Sequence, residues 1–283
     1  MNRRFRRRWR KIKKKDIAGT EALLQSHERW CMNACNRYLN RRSEKDTVWL
    51  LKNKAGEITA LIVRSKLSLL PVLGEEEPVP PPHFLKGFFG PVPVHSLQGR
   101  KEDMLIMEPA LEKLGLYAQE KLDYDLMCID RPPSGFHVPC AGLTLRKPDS
   151  GDMNALAALH AAYEQEEVLP TASEFSAATS RMNIEQIFSK QQMLVAELDG
   201  RLIGKINTNA STFTRYQVGG VYVLPEYRGR GIARRMAGEF IDGLTAKGKG
   251  ISLFVKKTNP AARRVYQRIG FEILGDYRIN YYG

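Results

Sequence analysis

The stretch from Tyr216 to Gly248 constrains this chain more than any other. An apolar run of strand length, YQVGGVYVLP, passes through EYRGRGIA directly into a helical pattern. A strand that launches a helix within so few residues belongs to a layered fold in which the helix packs back on its own sheet. Ile232, Met236, Phe240, Ile241 and Leu244 recur at helical spacing, and the pattern stops near Gly248. The first-turn N–H groups of such a helix have no intrahelical acceptor and point outward with the positive end of the helix dipole. Glycines at 229 and 231 let a ligand approach the backbone closely, so the turn is a cradle for phosphate oxygens. An Arg/Gly tract that binds nucleic acid is repeated and lacks helical periodicity; this one occurs once and leads into a helix.

The surrounding segments give the order β-α-α-β-β-β-α-β-α-β. LTLRKP (143–148) alternates like a strand, and Asp149 or Ser150 caps a helix over MNALAALHAAYEQEEVL. EFSAATSRMNIEQIFS (174–189) makes a second helix, and 192–211 a hairpin turning at Asp199-Gly200. Gly219-Gly220 suggests a bulge in the strand at 216–225. GISLFVKKTN is a buried strand, PAARRVYQRIG a helix with Pro260 in its first turn, and FEILGDYRINYY a last strand.

Arg228-x-x-Gly231-x-Ala233 resembles the acetyl-CoA pyrophosphate signature, Q/R-x-x-G-x-G/A, of the GNAT superfamily of N-acetyltransferases. TNPAARRVYQRIGF (258–271) resembles that superfamily's second signature, N-x-x-A-x-x-x-Y-x-x-x-G-F. The resemblance covers about residues 143 to 283. It implies a GNAT fold, an α/β (α+β) arrangement with a central, mixed, mostly antiparallel sheet flanked by helices. It implies that the backbone of Val221, Tyr222 and Val223 pairs with the pantetheine arm of acetyl-CoA. The amides of Arg228, Gly229, Arg230, Gly231, Ile232 and Ala233 would hold the pyrophosphate. Asn259 would contact the pantetheine, Ala262 would leave it room, and Tyr266 would protonate the departing thiolate, in keeping with ordinary tyrosine and thiol pKa values. Tyr266 is alternatively an aromatic that packs its helix on the sheet, and Asn259 an N-cap; the two roles of Asn259 can coexist.

Direct attack by an amine needs an acceptor for its proton. QVGGVYVL offers no carboxylate, although many members of the superfamily place a glutamate on that strand. The nearest acids are in YEQEEVLP (163–170): of Glu164, Glu166 and Glu167, the pair 164 and 167 shares one side of a regular helix. Glu166 or Glu167 is the candidate base, set against a solvated acidic helix end; Glu226 more plausibly orders the cradle turn. Asn207 and Asn209 either bind acceptor amides or line a polar strand face. His27, Cys31 and Cys35 share a helical stripe, but three ligands without a fourth make a poor zinc site, and no metal is expected.

At 283 residues the chain has the length of two domains. Four cysteines without CxxC spacing fit a reduced, cytoplasmic compartment, and no apolar run is long enough for a membrane helix. The first half carries a weaker copy of the same order: WRKIKKKDI as a strand, a helix over 19–39, a hairpin over 48–73, a helix over 104–121 and a strand over 124–130. The expected division is a degenerate GNAT-like lobe at 1–135 and an acetyl-CoA-binding domain at 141–283. Between 83 and 110, where the first lobe's own cradle should fall, Gln98 has no glycine three residues on, so that lobe is expected not to bind CoA. Ten of the 44 basic residues lie in residues 1–15, with no acid among them. This arm is either a nucleic-acid contact, with Phe5 and Trp9 interleaved for stacking, or a solvated terminus. The expected activity is acetyl transfer to a primary amine in a ternary complex. The rivals are a non-catalytic acetyl-CoA- or RNA-binding module and an aminoacyl-tRNA-dependent transferase.

Overall fold

The structure is a computed structural model and describes residues 9–41, 47–65, 67–74, 80–81, 84–85, 94–131, 141–169 and 174–283. Two compact units emerge, Met1–Asp125 with Gly275–Gly283, and Leu126–Leu274. Seven α-helices flank mixed, mostly antiparallel sheets among the described residues.

The first unit contains β1 (Arg10–Lys11), α1 (Ile17–Ser26), α2 (Met32–Leu39), β2 (Thr47–Lys52), β3 (Ile58–Ser65), β4 (Ser68–Val72), β5 (Ser96–Arg100) and α3 (Lys101–Glu112). It also takes most of β6 (Glu120–Ile129) and of β12 (Glu272–Tyr281). Its strands run in the order β1-β2-β3-β4-β5-β12, and the β4–β5 pair is parallel. The single helix expected over 19–39 is two, because HERWC (27–31) holds the break without a glycine or proline to announce it. Strand β5 is an addition that periodicity missed: SLQGR is polar at every second position and too short to stand out. Trp9, Ile62, Leu69, Leu97, Met104 and Met107 are buried in one cluster, each full burial contributing about 1.5–3 kcal/mol.

Strand β12 is fastened into this unit by side chains as well as by its ladder. Tyr277–Tyr281 pair antiparallel with Arg100–Ser96. Arg278 donates to both carboxylate oxygens of Asp123 at 2.7 and 3.0 Å and also meets Glu108. Buried Asn280 donates to the same Glu108 at 3.0 Å. The Tyr277 hydroxyl sits between Asn33 and Gln98.

The second unit contains the end of β6, then β7 (Leu143–Arg146), α4 (Met153–Tyr163), a π-helical turn (Glu164–Val168), α5 (Ala177–Lys190), β8 (Met193–Leu198) and β9 (Arg201–Ser211). β10 (Arg215–Val223), α6 (Ile232–Thr245), β11 (Gly250–Lys256) and α7 (Pro260–Ile269) complete it. The strand order is β6-β11-β10-β9-β8-β7, with β10 and β11 parallel and β7 to β10 successively antiparallel. Asp149 accepts from the Gly151 N–H ahead of α4, Ser176 from Thr179 at the start of α5, and Asn259 from Ala262 at the start of α7. Each cap satisfies an orphan first-turn donor and is worth about 1 kcal/mol. One face of the sheet packs on α6 and α7 through Ile206, Val218, Met236, Ile241, Leu253 and Ile269. The other face packs on α4 and α5 through Leu156, Leu159, Ile184 and Val195.

Candidate active site

The site begins where two parallel strands part. Buried Arg215 ties their near end together, donating to Ser252 Oγ at 2.9 Å, to the Ile251 carbonyl at 2.6 Å and to Asp130. The β10–β11 register then runs from Arg215↔Gly250 to Val218↔Leu253 and stops. On its other edge β10 stays with β9 as far as Val223↔Gly204, through register shifts at Gln217/Val218 and Gly219/Tyr222. The expected bulge is therefore present. Beyond it, among the described residues, the β11-facing edge of Val221, Tyr222 and Val223 has no partner strand, which leaves backbone donors and acceptors for an extended ligand.

Gly220 has φ 59°, and the space a Cβ would need is filled by the Asn207 carboxamide. Only glycine fits both constraints. Asn207 itself is fully buried and donates to Thr208 O and Asn209 Oδ1, so its polar atoms serve the strand.

After β10 the chain makes a 3₁₀ turn over Pro225–Tyr227 and enters the cradle. Gly229 and Gly231 both have φ 78°, in the left-handed region, and Gly231 is the N-cap of α6 with no side chain capping the helix. No atom lies within 4 Å of where a Gly229 side chain would begin. The first-turn amides around Ile232 and Ala233 are thus uncapped, beside the open strand edge, and fit the polyanionic end of a nucleotide cofactor. The Arg228 side chain turns away: its Nε donates to the Val223 carbonyl at 2.9 Å and its two Nη atoms to Glu166 at 2.7 and 2.8 Å.

The acidic cluster does not follow regular helical geometry. Leu169 N–H bonds to the Glu164 carbonyl across five residues, making the π-helical turn, so the expected shared side of 164 and 167 does not form. Each carboxylate has its own partners. Glu164 lies 3.2 Å from His160 Nε2 and accepts from Asn183. Glu166 accepts from Arg228 and from the Tyr222 hydroxyl, and these bonds hold its pKa below the usual carboxylate value. Glu167 accepts from Asn259 Nδ2 at 3.1 Å. Asn259 is also the expected N-cap, its Oδ1 accepting from Ala262 N–H at 3.0 Å at the start of α7. Ala262 is packed against the core as a small residue beside that cap.

Tyr266 is buried on α7, edge-on to Phe271 at 5.6 Å between ring centroids. Burial raises its pKa, and the Tyr163 hydroxyl and Glu167 raise it further, so the phenol stays protonated. Tyr163 is pushed up to about 12, mainly by burial. Two members of this cluster escaped the sequence reading. Tyr163 stands immediately before the acids, and Lys205 interrupts the otherwise enclosed strand LIGKINTNA; a lysine in a strand covered on both faces was the available signal. Lys205 is fully buried, and desolvation brings its pKa down to about 7.

Other expected positions fall elsewhere. Gln98 lies inside β5, where its Oε1 accepts from Asn33 and Tyr277, so it marks a strand and not a cradle. Trp9 is buried in the first unit's core and Arg10–Lys11 form β1, which removes Trp9 from any stacking role; Phe5 and the rest of residues 1–8 lie outside the described residues. Cys31 and Cys35 are buried with their sulfurs 3.5 Å apart, and His27 Nδ1 lies near Ser26 and Leu23 O. Among the described residues no helix is long and apolar enough to cross a membrane.

Comparison with known proteins agrees with this geometry. The model of the acetyltransferase (GNAT) family matches residues 156–271. Over 67 residues the chain is 40% identical to N-alpha-acetyltransferase RimI of Mycobacterium tuberculosis and 42% identical to an uncharacterized protein of Mycobacterium leprae. These matches take in 24% of the chain, and only 40% and 18% of the two relatives' own lengths. Among solved structures, a Drosophila protein shares 13% identity with a TM-score of 0.65, covering 98% of this chain and 99% of its own. A GCN5-related N-acetyltransferase from Sphaerobacter thermophilus shares 18% identity with a TM-score of 0.58, over 96% of this chain and 94% of its own. At such identities these likenesses concern the fold. The cradle, the parted strands and the tyrosine-bearing helix all lie within the matched segment, residues 156–271, which carries an acetyltransferase domain of the GNAT family.

Proposed function

We propose that residues 141–283 bind acetyl-CoA and transfer its acetyl group to a primary amine by direct attack in a ternary complex. The observation that carries this is the uncapped, doubly left-handed turn Gly229–Gly231 set at the end of an unpartnered strand edge. Acetyl-CoA supplies an activated acyl group on a thiol leaving group. The amides of residues 228–233 hold its pyrophosphate, and the backbone of Val221–Val223 aligns its pantetheine arm. Ala262 leaves the arm space.

Among the acids, Glu167 is better suited than Glu166 to take the amine's proton. Glu166 is committed to Arg228 and Tyr222, and its basicity is lowered by them. It serves to fix Arg228 against the strand end. Among the described residues Glu167 accepts one side-chain hydrogen bond, from Asn259. Tyr266, protonated over the working pH range, donates to the departing thiolate.

The first unit repeats the strand order and the parallel pair, which supports its origin as a second GNAT-like lobe. It is not a second cofactor site. Its strand β4 also parts from β5, after Leu69↔Leu97, but there Asp103 accepts from the Leu73 N–H and Arg100 donates to the Leu73 carbonyl at 3.4 Å. The edge left open at Val221–Val223 is filled in the first unit by the chain's own side chains.

Incubation with acetyl-CoA and a panel of amines (spermidine, free amino acids, peptides with free N-termini), reading thiol release, tests the assignment. Release above the rate to water with at least one amine is expected. Binding of acetyl-CoA with no turnover on any amine would favour a non-catalytic module, and turnover only with aminoacyl-tRNA would favour the tRNA-dependent reaction.

A further inference from the structure

One peptide group in the second unit is gripped from both sides, by the buried Lys205 and the half-buried Tyr163. The carbonyl of Gly220 accepts from Lys205 Nζ at 2.9 Å, and its N–H bonds to the Tyr163 hydroxyl. The same Nζ lies 3.4 Å from Asn207 Oδ1 and 4.5 Å from the centroid of the Tyr163 ring. A carbonyl, an amide oxygen and an aromatic face are what an ammonium needs in place of water. Lys205 is wholly shut off from solvent, and a structural need for an aliphatic residue there would have been met by leucine or methionine at far lower cost. Gly220 is the bulged residue directly before the open edge at Val221–Val223.

We infer that Lys205 is a positioning residue for acyl transfer: its buried ammonium locks the bulged Gly220 peptide and places one positive charge behind the strand edge that receives the thioester. This rests on the proposed acetyl-CoA site. In the reaction the amine nitrogen forms the new C–N bond and the carbonyl π pair moves onto oxygen. Collapse restores the C=O and breaks the C–S bond; the amine proton passes to Glu167 and the Tyr266 proton to the thiolate. Negative charge on the carbonyl oxygen is transient, and a fixed cation in a water-free site stabilises it without reorganisation. The groups facing Lys205 are His160, Tyr163 and Glu164 from the α4 side and Tyr222 across the β9–β10 ladder. Of these, the Glu164 carboxylate opposes the desolvation of Lys205 and helps retain its proton.

The test compares the wild type with Lys205→Met, which keeps length without charge, and Lys205→Arg, which keeps charge. Calorimetry with acetyl-CoA comes first: if the wild type fails to bind, the cofactor assignment falls and not the role of Lys205. With binding in hand, the infrared stretch of ¹³C-labelled thioester carbonyl should shift down on binding to the wild type and return toward its value in water in Lys205→Met. Acetyl-CoA affinity should change less than about threefold, and thiol release should fall at least about tenfold, with part recovered in Lys205→Arg. An unshifted carbonyl band in the wild type, or the same band in Lys205→Met, overturns the inference. So does a loss of turnover matched by an equal loss of affinity that arginine does not restore. Should both variants fail to fold, ¹³Cε-lysine NMR of the wild type still decides: a Lys205 resonance titrating together with the alkaline fall of turnover supports the role, and titrations that do not coincide refute it.

Discussion

Glu166 and Arg228 meet in a two-pronged ion pair, 2.7 and 2.8 Å, which joins the π-helical turn to the entrance of the anion cradle. Both side chains are about two-fifths exposed, so solvent screens the pair and its value is geometric more than energetic. It holds Arg228 Nε against the Val223 carbonyl, the last residue of the open strand edge. Glu166→Gln should therefore raise the KM for acetyl-CoA several-fold while leaving kcat within about threefold. Steady-state kinetics check this split; a kcat loss with unchanged KM would return Glu166 to the role of base.

Glu167→Gln should behave in the opposite sense. Loss of the proton acceptor should lower kcat about 100-fold, most strongly at low pH, with acetyl-CoA affinity retained. A normal pH–rate profile in this variant would assign the proton to water or to another group.

Tyr266→Phe removes only a hydroxyl from a buried ring. Turnover should fall by about 10- to 1,000-fold while calorimetric affinity for acetyl-CoA stays nearly intact. Unchanged turnover would leave Tyr266 as the packing partner of Phe271 alone.

Gly231→Asp puts bulk and negative charge where the pyrophosphate would sit, at a φ of 78° that side chains rarely adopt. Wild-type protein should bind one acetyl-CoA per chain and this variant none. Two equivalent sites would show that Arg100 and Asp103 fail to close the first unit's edge.

Buried His160 is the group to watch in acid. Desolvation, with the Lys205 charge nearby, lowers its pKa from 6.5 to about 4 despite the opposing pull of Glu164. A base with a depressed pKa in the folded state favours folding above its ordinary pKa and loses that contribution as pH falls from about 6.5 toward 4. The loss is on the order of 3 kcal/mol. Thermal unfolding from pH 7 to 4.5 should fall less steeply in His160→Phe than in the wild type; equal slopes would show that other groups govern the acid limb.

Much of the second unit was legible in its sequence because local signals agreed: turn residues, caps and apolar periodicity all named the same elements. The cradle and the Asn259–Tyr266 helix could be read for the same reason, since backbone geometry there depends on glycine, proline and a cap within a few residues. What was not legible depends on distant partners. The π-helical turn at Glu164–Val168 separates three adjacent carboxylates, and nothing in YEQEEVL signals it. Lys205 gains its meaning from Gly220 and Tyr163, which are brought to it by different elements. In the first unit the break at 27–31 carries no glycine or proline and strand β5 is short and half polar, so periodicity alone had nothing to register.

The basic arm is now shorter than its composition suggests. Trp9 is in the core and Arg10–Lys11 form β1; five arginines lie within residues 1–8 before it, and the side chains of Lys11, Lys13, Lys14 and Lys15 are exposed. Deleting residues 1–8 should abolish any salt-sensitive binding to single-stranded RNA and spare acetyl transfer to a small amine. Retention of RNA binding would place the contact elsewhere.

The position of Gly275–Gly283 in the first unit has a consequence for synthesis on the ribosome. That unit's β5 must wait for its antiparallel neighbour while about 175 further residues are added, which takes roughly 10–35 s at ordinary elongation rates. Throughout that interval Ser96–Arg100, paired with β4 on one side only, is an edge strand, the kind of surface that recruits foreign strands. The acetyltransferase segment can assemble during the wait, but the N-terminal unit is finished last, and a nascent chain that stalls before Tyr277 is released with its sticky edge uncovered.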